Sequence, residues 1–279
     1  MFPTAEQIEH EAYLRWERRG RTHGGDLDDW CAAREDLLLA FNYEAVAYHE
    51  LQSEVPQYIG DPRHRVCRFC EQAPPQTRFS RAEPPLAIPA FLGNRSLFTY
   101  EECEDCRAQF ALSVEADLAR FLSQMWVGAD TGDLSKNSIA ALKGLARMAL
   151  SILPAAELQS FEDTREWVIN PDHEFDLRLF GELGGGLHVA RSYQTVNWTA
   201  LARRVDDSVP MPYMLFLIGV SGAVIQAPIP LSIRDEDLDG EQVIIPRTDS
   251  SHVICSDLKR KAPARSSARR SPWEPAGLP

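Results

Sequence analysis

Two Cys-x-x-Cys pairs constrain this chain more than any other feature of its sequence. Cys67 and Cys70 form the first pair, Cys103 and Cys106 form the second, and residues 71–102 lie between the pairs. A pair with this spacing sits on a tight turn, so that four sulfur atoms converge on one tetrahedral ion, which is a strong signal for Zn²⁺. Because four thiolates leave no open coordination position, we expect a structural zinc that does not itself activate water.

The composition is that of an ordinary globular protein. A chain of 279 residues is long enough for one or two domains, and its apolar content of 44% and charged content of 25% are typical. No apolar run approaches the roughly 18 residues of a membrane-spanning helix, and the polar N-terminus is not a secretory signal. We therefore expect a cytoplasmic protein with no membrane partner, in which Cys31 and Cys255 stand alone as free thiols.

The formal charge of −12 is unevenly distributed along the chain. Residues 259–270 carry six basic side chains and no acidic one, so the remainder of the chain has a charge of −18. An acidic body repels phosphates at long range, which disfavours a strong nonspecific DNA binder but leaves room for a local basic groove. The Ser-, Arg- and Pro-rich residues 255–279 are predicted to be a disordered basic tail.

Apolar periodicity predicts an α+β fold in successive segments. Residues 1–55 are predicted to be a helical hairpin region, with helices over 5–19 and from Asp26 or Asp28 to Leu39, and residues 41–60 are expected to continue helically. Residues 60–125 hold the cysteine block. Residues 126–250 are predicted to be an α+β region of helices and a small antiparallel sheet.

Within that last region the predicted helices and strands are separated by turn residues. Helices are expected over 115–125, 138–153 and 155–168. Strands are expected over 187–196, 213–220, 223–232 and 241–245, with Ser221-Gly222 as a two-residue hairpin turn.

The N-terminal segment resembles a small bacterial domain of unknown function. That domain has an Ala-Tyr-x-x-Trp-x-x-x-Gly segment, a short turn and an x-x-Trp-x-x-Ala-Glu-x-x-Leu helix. The residues that match here are Ala12, Tyr13, Trp16, Gly20, Trp30, Ala33 and Leu37. The resemblance implies a helical hairpin and no chemistry.

The cysteine block resembles the HNH endonucleases. One branch of that family carries Cys-x-x-Cys, then Ala-His-x-Ile-Pro-x-x-Leu-Gly-Asn, then Glu-Cys-x-x-Cys-Asn-x-x-Phe. The corresponding segments here are CRFC from Cys67, AIPAFLGN from Ala87 and ECEDCRAQF from Glu102. The resemblance implies a zinc-bound ββα module, with a hairpin of residues 77–80 and 86–88 followed by a helix from about Thr99 that carries the second cysteine pair. A weaker likeness continues to about residue 245.

The same resemblance identifies what is missing. In the family, a histidine two residues before the isoleucine of Ile-Pro acts as the general base, and a divalent metal separate from the zinc stabilises the phosphate. Here that position is Leu86, whose side chain accepts no proton, and the asparagine after the last cysteine is Arg107. Gly93-Asn94 is retained. The scaffold matches, therefore, and the catalytic groups do not.

Two residues are candidates for a displaced general base: Glu83, which lies three residues before Leu86, and His64, which lies just before the first cysteine pair. Three acids near the second pair are candidates for binding Mg²⁺ or another divalent metal if the protein is active: Glu101, Glu104 and Asp105. A merely solvated acid is the more common interpretation of each.

Arginines make the cysteine block locally basic, although acidic residues in the same span offset part of the charge. They are Arg63, Arg65, Arg68, Arg78, Arg81, Arg95 and Arg107. Interleaved with Phe69 and Phe79, such residues suit a phosphate backbone, so DNA or RNA is an expected partner.

Three functions follow from these observations. The first is a degenerate nuclease that keeps the fold and the zinc and acts in nucleic-acid or partner binding. The second is an active, divalent-metal-dependent HNH endonuclease with a displaced base, which would make the protein a phosphodiester hydrolase. The third is a zinc-stapled scaffold for protein contacts. Whether the protein is an enzyme stays open at this point.

Overall fold

A computed structural model describes residues 1–80, 84–127, 134–170, 173, 187–191, 196–220, 222–238 and 243–247. The candidate base Glu83, the turn residue Ser221 and the predicted tail, residues 255–279, lie outside these ranges. Within them, helices and an antiparallel sheet form the α+β fold that the sequence predicts.

Two helices form the predicted N-terminal hairpin. Helix α1 spans Ala5–Arg18 and helix α2 spans Asp26–Asn42. Thr4 and Gln7 begin α1 with a capping box, in which each side chain accepts a hydrogen bond from the other residue's backbone N–H. The two helices pack against each other along their length.

Directly after α2 the chain becomes a strand, so the helical prediction for residues 41–60 is wrong. Strand β1 spans Tyr43–Glu50 and pairs antiparallel with strand β5, Trp198–Arg204, which the sequence analysis missed. Alternate residues of β1, beginning with Tyr43 and Ala45, are buried. Alanine and glutamate favour a helix locally, but pairing and packing at the sheet edge decide the conformation.

The remaining strands of this sheet come from the C-terminal half of the chain. They are β4 at His188–Arg191, β6 at Met214–Val220 and β7 at Ala223–Pro228. Among the described residues the strand order is β1-β5-β6-β7-β4, antiparallel throughout. The prediction for residues 213–220 is therefore confirmed, and those for residues 187–196 and 223–232 are confirmed over 188–191 and 223–228. Residues 192–195 lie outside the described ranges, and residues 229–232 and 243–245 form no strand.

Both faces of this sheet are covered, which explains the unbroken apolar run MLFLIGV. Every residue of β6 is buried. One face packs against α2 in a cluster that includes Leu38, Trp198 and Leu217. The other face belongs to a larger cluster that includes Phe216 and the cysteine block. A strand that is buried on both faces has no reason to alternate apolar and polar residues.

The cysteine block is built on a short ribbon and a helix. Strand β2, Gln57–Ile59, pairs parallel with β3, Leu97–Thr99, and helix α3 spans Glu104–Leu112. The predicted hairpin partner is wrong, because Leu86 forms an antiparallel bridge with Phe98 and residues 77–80 are not a strand. Helix α3 begins at Glu104, later than the predicted start near Thr99.

Three further helices follow α3. Helix α4 spans Val114–Val127 and α5 spans Leu134–Ile152, close to the predicted bounds. The third predicted helix is divided into a 3₁₀ segment, Ala155–Phe161, and α6, Glu162–Ile169. No helix in the described ranges is both long and apolar enough to cross a membrane.

Candidate metal centre

The first cysteine pair lies on a tight turn. The carbonyl of Cys67 accepts the N–H of Glu71 at 2.8 Å, and the N–H of Cys67 donates to the carbonyl of Gln72 at 2.9 Å. These two backbone hydrogen bonds close a tight turn that contains Cys67 and Cys70. Both sulfur atoms are therefore presented from one turn, as the sequence predicts.

The second pair lies at the start of α3. Cys103 is the N-cap residue, and its sulfur accepts the backbone N–H of Cys106 at 3.4 Å. An N-cap residue must be extended, and Cys103 has φ −81° and ψ 163°. This requirement places the helix start at Glu104 rather than near Thr99, which corrects the predicted boundary.

The four sulfur atoms form one cluster. All lie within 4.8 Å of one another, and those of Cys70 and Cys103 are 3.8 Å apart. A tetrahedral ion with metal–sulfur bonds of about 2.3 Å separates its ligand atoms by roughly 3.8 Å. All four residues are free thiols. This donor set has the chemistry and the size for one tetrahedral metal ion.

Without a cation the cluster does not hold four negative charges. The thiol of Cys106 lowers the pKa of Cys67 to about 5 by donating a hydrogen bond to its sulfur, and nearby backbone N–H groups add to this effect. Burial raises the pKa of Cys70 to about 11. The bond to Cys67, together with burial, also raises the pKa of Cys106. Thiolates at Cys70 and Cys106 are therefore disfavoured until a cation is bound.

Aromatic rings and an arginine surround the cluster. The rings of Phe69 and Phe110 meet edge to face, with centroids 4.6 Å apart. The guanidinium of Arg147, on α5, lies 5.8 Å and 5.3 Å from these two centroids. It donates to the carbonyl of Ala87 at 2.8 Å and pairs with Glu102 at 2.7 Å. One side chain thus joins α5 to the hairpin and to the residue before Cys103.

A second arginine connects the first cysteine turn to α5. Arg68 donates to the carbonyls of Leu150 and Leu153 at the end of that helix, with the latter bond 3.0 Å long. Its Nε donates to Glu101 at 2.9 Å. The last carbonyls of a helix have no intrahelical N–H donor. The bonds from Arg68 therefore satisfy the carbonyls at the end of α5 as well as its own guanidinium.

Asn94 shapes the loop that precedes β3. Its Nδ2 donates to the carbonyls of Ile88 and Leu97 at 2.7 Å and 2.9 Å, and its Oδ1 accepts the N–H groups of Ser96 and Leu97. Gly93 precedes it at φ +80°, where a Cβ would lie 2.0 Å from the Asn197 side chain. The Gly-Asn pair therefore holds Leu86 opposite Phe98, which is the physical reason for the hairpin that forms.

Of the two candidates for a general base, His64 lies in the part of the chain that the structure describes. The side chain of His64 is 84% exposed and contacts Asp61 at 3.3 Å. Glu83 lies outside the described residues. Leu86 is half-buried.

The three candidate acids are dispersed. Glu101 binds Arg68, Glu104 is exposed with its carboxylate 3.9 Å from Arg78, and Asp105 accepts from the hydroxyl of Thr77 at 3.2 Å. In the described part of the chain, no second group of three or more metal-ligating side chains lies close together.

A groove opens beside the cysteine cluster. Its volume is about 470 Å³, and it is lined by Cys70 and Cys106 together with residues of α6. Glu71 and Arg165 form an ion pair across its wall. Cys70 is the half-buried member of the cluster, so this groove is the side on which the cluster approaches solvent.

Comparison with known proteins identifies only the N-terminal segment. A family model described as "Protein of unknown function (DUF2934)" matches residues 3–38, the region of α1 and α2. No curated protein and no solved structure matches the chain. The match agrees with the helical hairpin expected there and assigns no chemistry.

Sequence reasoning missed the two arginines that hold the centre in place. Arg147 stands in an otherwise apolar helical stretch, ALKGLARMALSIL, and a buried arginine requires partners. That pattern was a usable signal for an ion pair with a buried acid. Arg68 gave no such signal, because it lies in an arginine-rich segment whose other members are mostly exposed.

Proposed function

We propose that this protein holds a structural zinc in an HNH-endonuclease-like module that has lost its general base and binds nucleic acid without cutting it. The observation that carries the proposal is the position of Leu86. It lies opposite Phe98, and it occupies the sequence position at which the resembled family carries its histidine. A leucine at that place provides no proton acceptor for an attacking water.

Zinc is the metal that this centre suits best. Four cysteine sulfurs within 4.8 Å of one another, from two Cys-x-x-Cys turns, are typical of structural zinc. Such a site holds the hairpin and α3 together and offers no open position for a substrate. Bound zinc would stabilise the four thiolates; Arg68 and Arg147 fix the two turns against α5.

Arginines support nucleic acid as the partner. In the described ranges, Arg63, Arg65, Arg95 and Arg107 form no ion pair with a carboxylate. Three of them are exposed, and Arg65 is half-buried. Unpaired guanidinium groups on one module attract phosphates locally despite the negative charge of the whole chain.

A supercoiled-plasmid nicking assay with Mg²⁺, Mn²⁺ or Ni²⁺ tests the loss of catalysis. The native protein is compared with a Leu86→His, Arg107→Asn double variant that restores the family's residues. Leu112→His, on an exposed leucine of α3, controls for adding a histidine. Salt-dependent binding of labelled DNA and RNA is measured alongside.

We expect the native protein to bind and not nick, and the double variant to nick. Nicking by the native protein would show an active nuclease and would contradict the proposal. Failure of the native protein to bind either nucleic acid would favour the zinc-stapled protein scaffold instead. If the native protein binds nucleic acid and the double variant does not nick the plasmid, nucleic-acid binding stands. The claim that the module is a nuclease lacking only its general base would then be contradicted.

A further inference from the structure

Three aromatic rings form a continuous strip on the β2–β3 ribbon. Tyr58 is paired directly with Phe98 across the two strands, and their ring centroids are 5.5 Å apart with planes at 24°. Tyr100 follows Phe98 by two residues and therefore lies on the same face. Its centroid is 5.3 Å from that of Tyr58, with planes at 13°. We call these three residues the aromatic strip.

The strip faces outward because the opposite face of the ribbon is filled. Leu97 and Thr99 are 0% and 1% exposed, whereas Tyr58 is 48% exposed. Phe98 and Tyr100 are half-buried. The three rings form a contiguous, partly exposed aromatic patch, and such patches are typical of interaction sites.

Arg65 adds a positive charge at one end of the strip. Its guanidinium lies 5.5 Å from the centroid of Tyr100. Nε and Nη1 donate to the carbonyls of Pro62 and Ser80, at 3.2 Å and 2.8 Å. No described carboxylate pairs with it, so its charge is available to an anion.

Charges of both signs lie along the chain next to the ribbon. Arg63 follows β2 and Arg95 precedes β3, and both are exposed. Glu101 is bound to Arg68, whereas Glu54 and Asp61 are exposed, and Asp61 interacts with Arg63. The strip therefore combines stacked rings with one guanidinium, that of Arg65, which pairs with no described carboxylate.

We propose that the aromatic strip binds unpaired bases of a single-stranded nucleic acid by stacking, with Arg65 contacting the phosphate backbone. Bases have accessible faces only when they are unpaired, and stacking on aromatic side chains contributes about 1–3 kcal/mol per base. In a duplex, the faces are already covered, so phosphate contacts alone would remain. This inference rests on the proposed function and specifies its substrate class.

The bridge between Leu86 and Phe98 connects the strip to the lost catalytic position. Leu86 extends an apolar surface beside Phe98, where the resembled nucleases carry a proton acceptor. Such a surface suits contact with bases and offers nothing to a scissile phosphate. The two features are consistent with retention of a strand without cleavage.

The test is fluorescence anisotropy with labelled single-stranded DNA, single-stranded RNA and the duplex of the same sequence, each of roughly twelve nucleotides. The native protein is compared with Tyr58→Ala, Tyr58→Trp and Arg65→Gln. Tyr13→Ala is the matched control, since Tyr13 is 50% exposed and its ring contacts that of Trp16 in α1, with centroids 5.5 Å apart. Circular dichroism verifies that each variant is folded.

We expect the single strands to bind more tightly than the duplex. Tyr58→Ala should weaken single-strand binding roughly five- to hundredfold, while Tyr58→Trp and Tyr13→Ala should not. Arg65→Gln should reduce the dependence of binding on salt.

The other outcomes separate the inference from the proposed function. Tighter duplex binding, or an unchanged affinity in Tyr58→Ala, would overturn the stacking site and leave nucleic-acid binding intact. Absence of binding to all three probes would overturn both. If Tyr58→Ala misfolds, the affinities of the native protein for the single strands and for the duplex still test the preference for unpaired bases.

Discussion

Nη2 of Arg147 donates to both carboxylate oxygens of Glu102, at 2.8 Å and 2.7 Å, and neither side chain reaches solvent. Burial raises the pKa of Glu102, and the charge of Arg147 opposes that rise. Because Glu102 immediately precedes Cys103, this pair fixes the start of α3 and with it the second cysteine turn. A buried ion pair at the centre therefore joins the metal-binding residues to the helical core.

Removal of one partner of this pair should be strongly destabilising. Arg147→Met leaves the Glu102 carboxylate buried without its cation, and we expect a loss of about 3–5 kcal/mol in the free energy of unfolding. Urea denaturation measures it. Arg120→Met is the control, since the Arg120–Asp117 pair is 66% and 39% exposed and should cost less than about 1 kcal/mol.

The double variant Arg147→Met, Glu102→Gln sharpens this prediction. It removes both charges, so it should recover part of the stability lost in Arg147→Met. Equal losses in the single and double variants would mean that lost packing, rather than an uncompensated charge, explains the effect.

Metal content should depend on the clustered cysteines alone. The purified protein should carry one zinc ion, and Cys103→Ser should lose it and lower the melting temperature, because the thiolate cluster is then incomplete. Elemental analysis and thermal denaturation measure both effects. Cys31→Ser, at an exposed cysteine outside the cluster, should change neither. A native protein that binds no metal under zinc-replete conditions would refute the zinc assignment.

Asn94 should be required for the hairpin rather than for chemistry. Its side chain makes four hydrogen bonds to backbone groups and is 1% exposed. Asn94→Ala leaves several buried polar groups without partners, and we expect a loss of at least about 2 kcal/mol in unfolding free energy. Asn94→Asp keeps the acceptor but turns a buried carboxylate oxygen towards the carbonyls of Ile88 and Leu97, so a loss at least as large is expected. Unchanged stability in both variants would contradict this structural role.

Asp235 should make stability depend on pH. Burial raises its pKa to about 7, against the charge of Arg204. In the unfolded chain its pKa returns to about 4, so the folded state retains the proton to higher pH than the unfolded state does. Its contribution to stability is therefore greatest below pH 4, falls as the pH rises to 7 and is constant above.

The variant Asp235→Asn removes this dependence. Its stability relative to the native protein should rise between pH 4 and pH 7, by at most roughly 4 kcal/mol, as measured by urea denaturation across that range. Glu236→Gln, at the exposed neighbouring residue, is the control and should leave the native profile unchanged. Parallel profiles for Asp235→Asn and the native protein would contradict the prediction.

Several elements follow from local sequence alone. The Cys-x-x-Cys spacing predicts the two turns, because two residues between thiols suffice to close a tight turn on one ion. Helices α1, α4 and α5 follow from apolar periodicity. The apolar run of β6 likewise predicts a buried strand. In each case the information lies within one segment of the chain.

Other features were decided only by distant contacts. β1 is a strand because β5, more than 140 residues later, pairs with it, and Leu86 lies opposite Phe98 because Asn94 closes the intervening loop. The aromatic strip exists because β2 and β3 align Tyr58 with Phe98. Arg147 reaches Glu102 only when α5 packs on the cysteine block. The sequence by itself therefore determined the two cysteine turns and most helices, whereas the tertiary structure decided which surfaces and ion pairs surround them. Those depend on packing between remote segments.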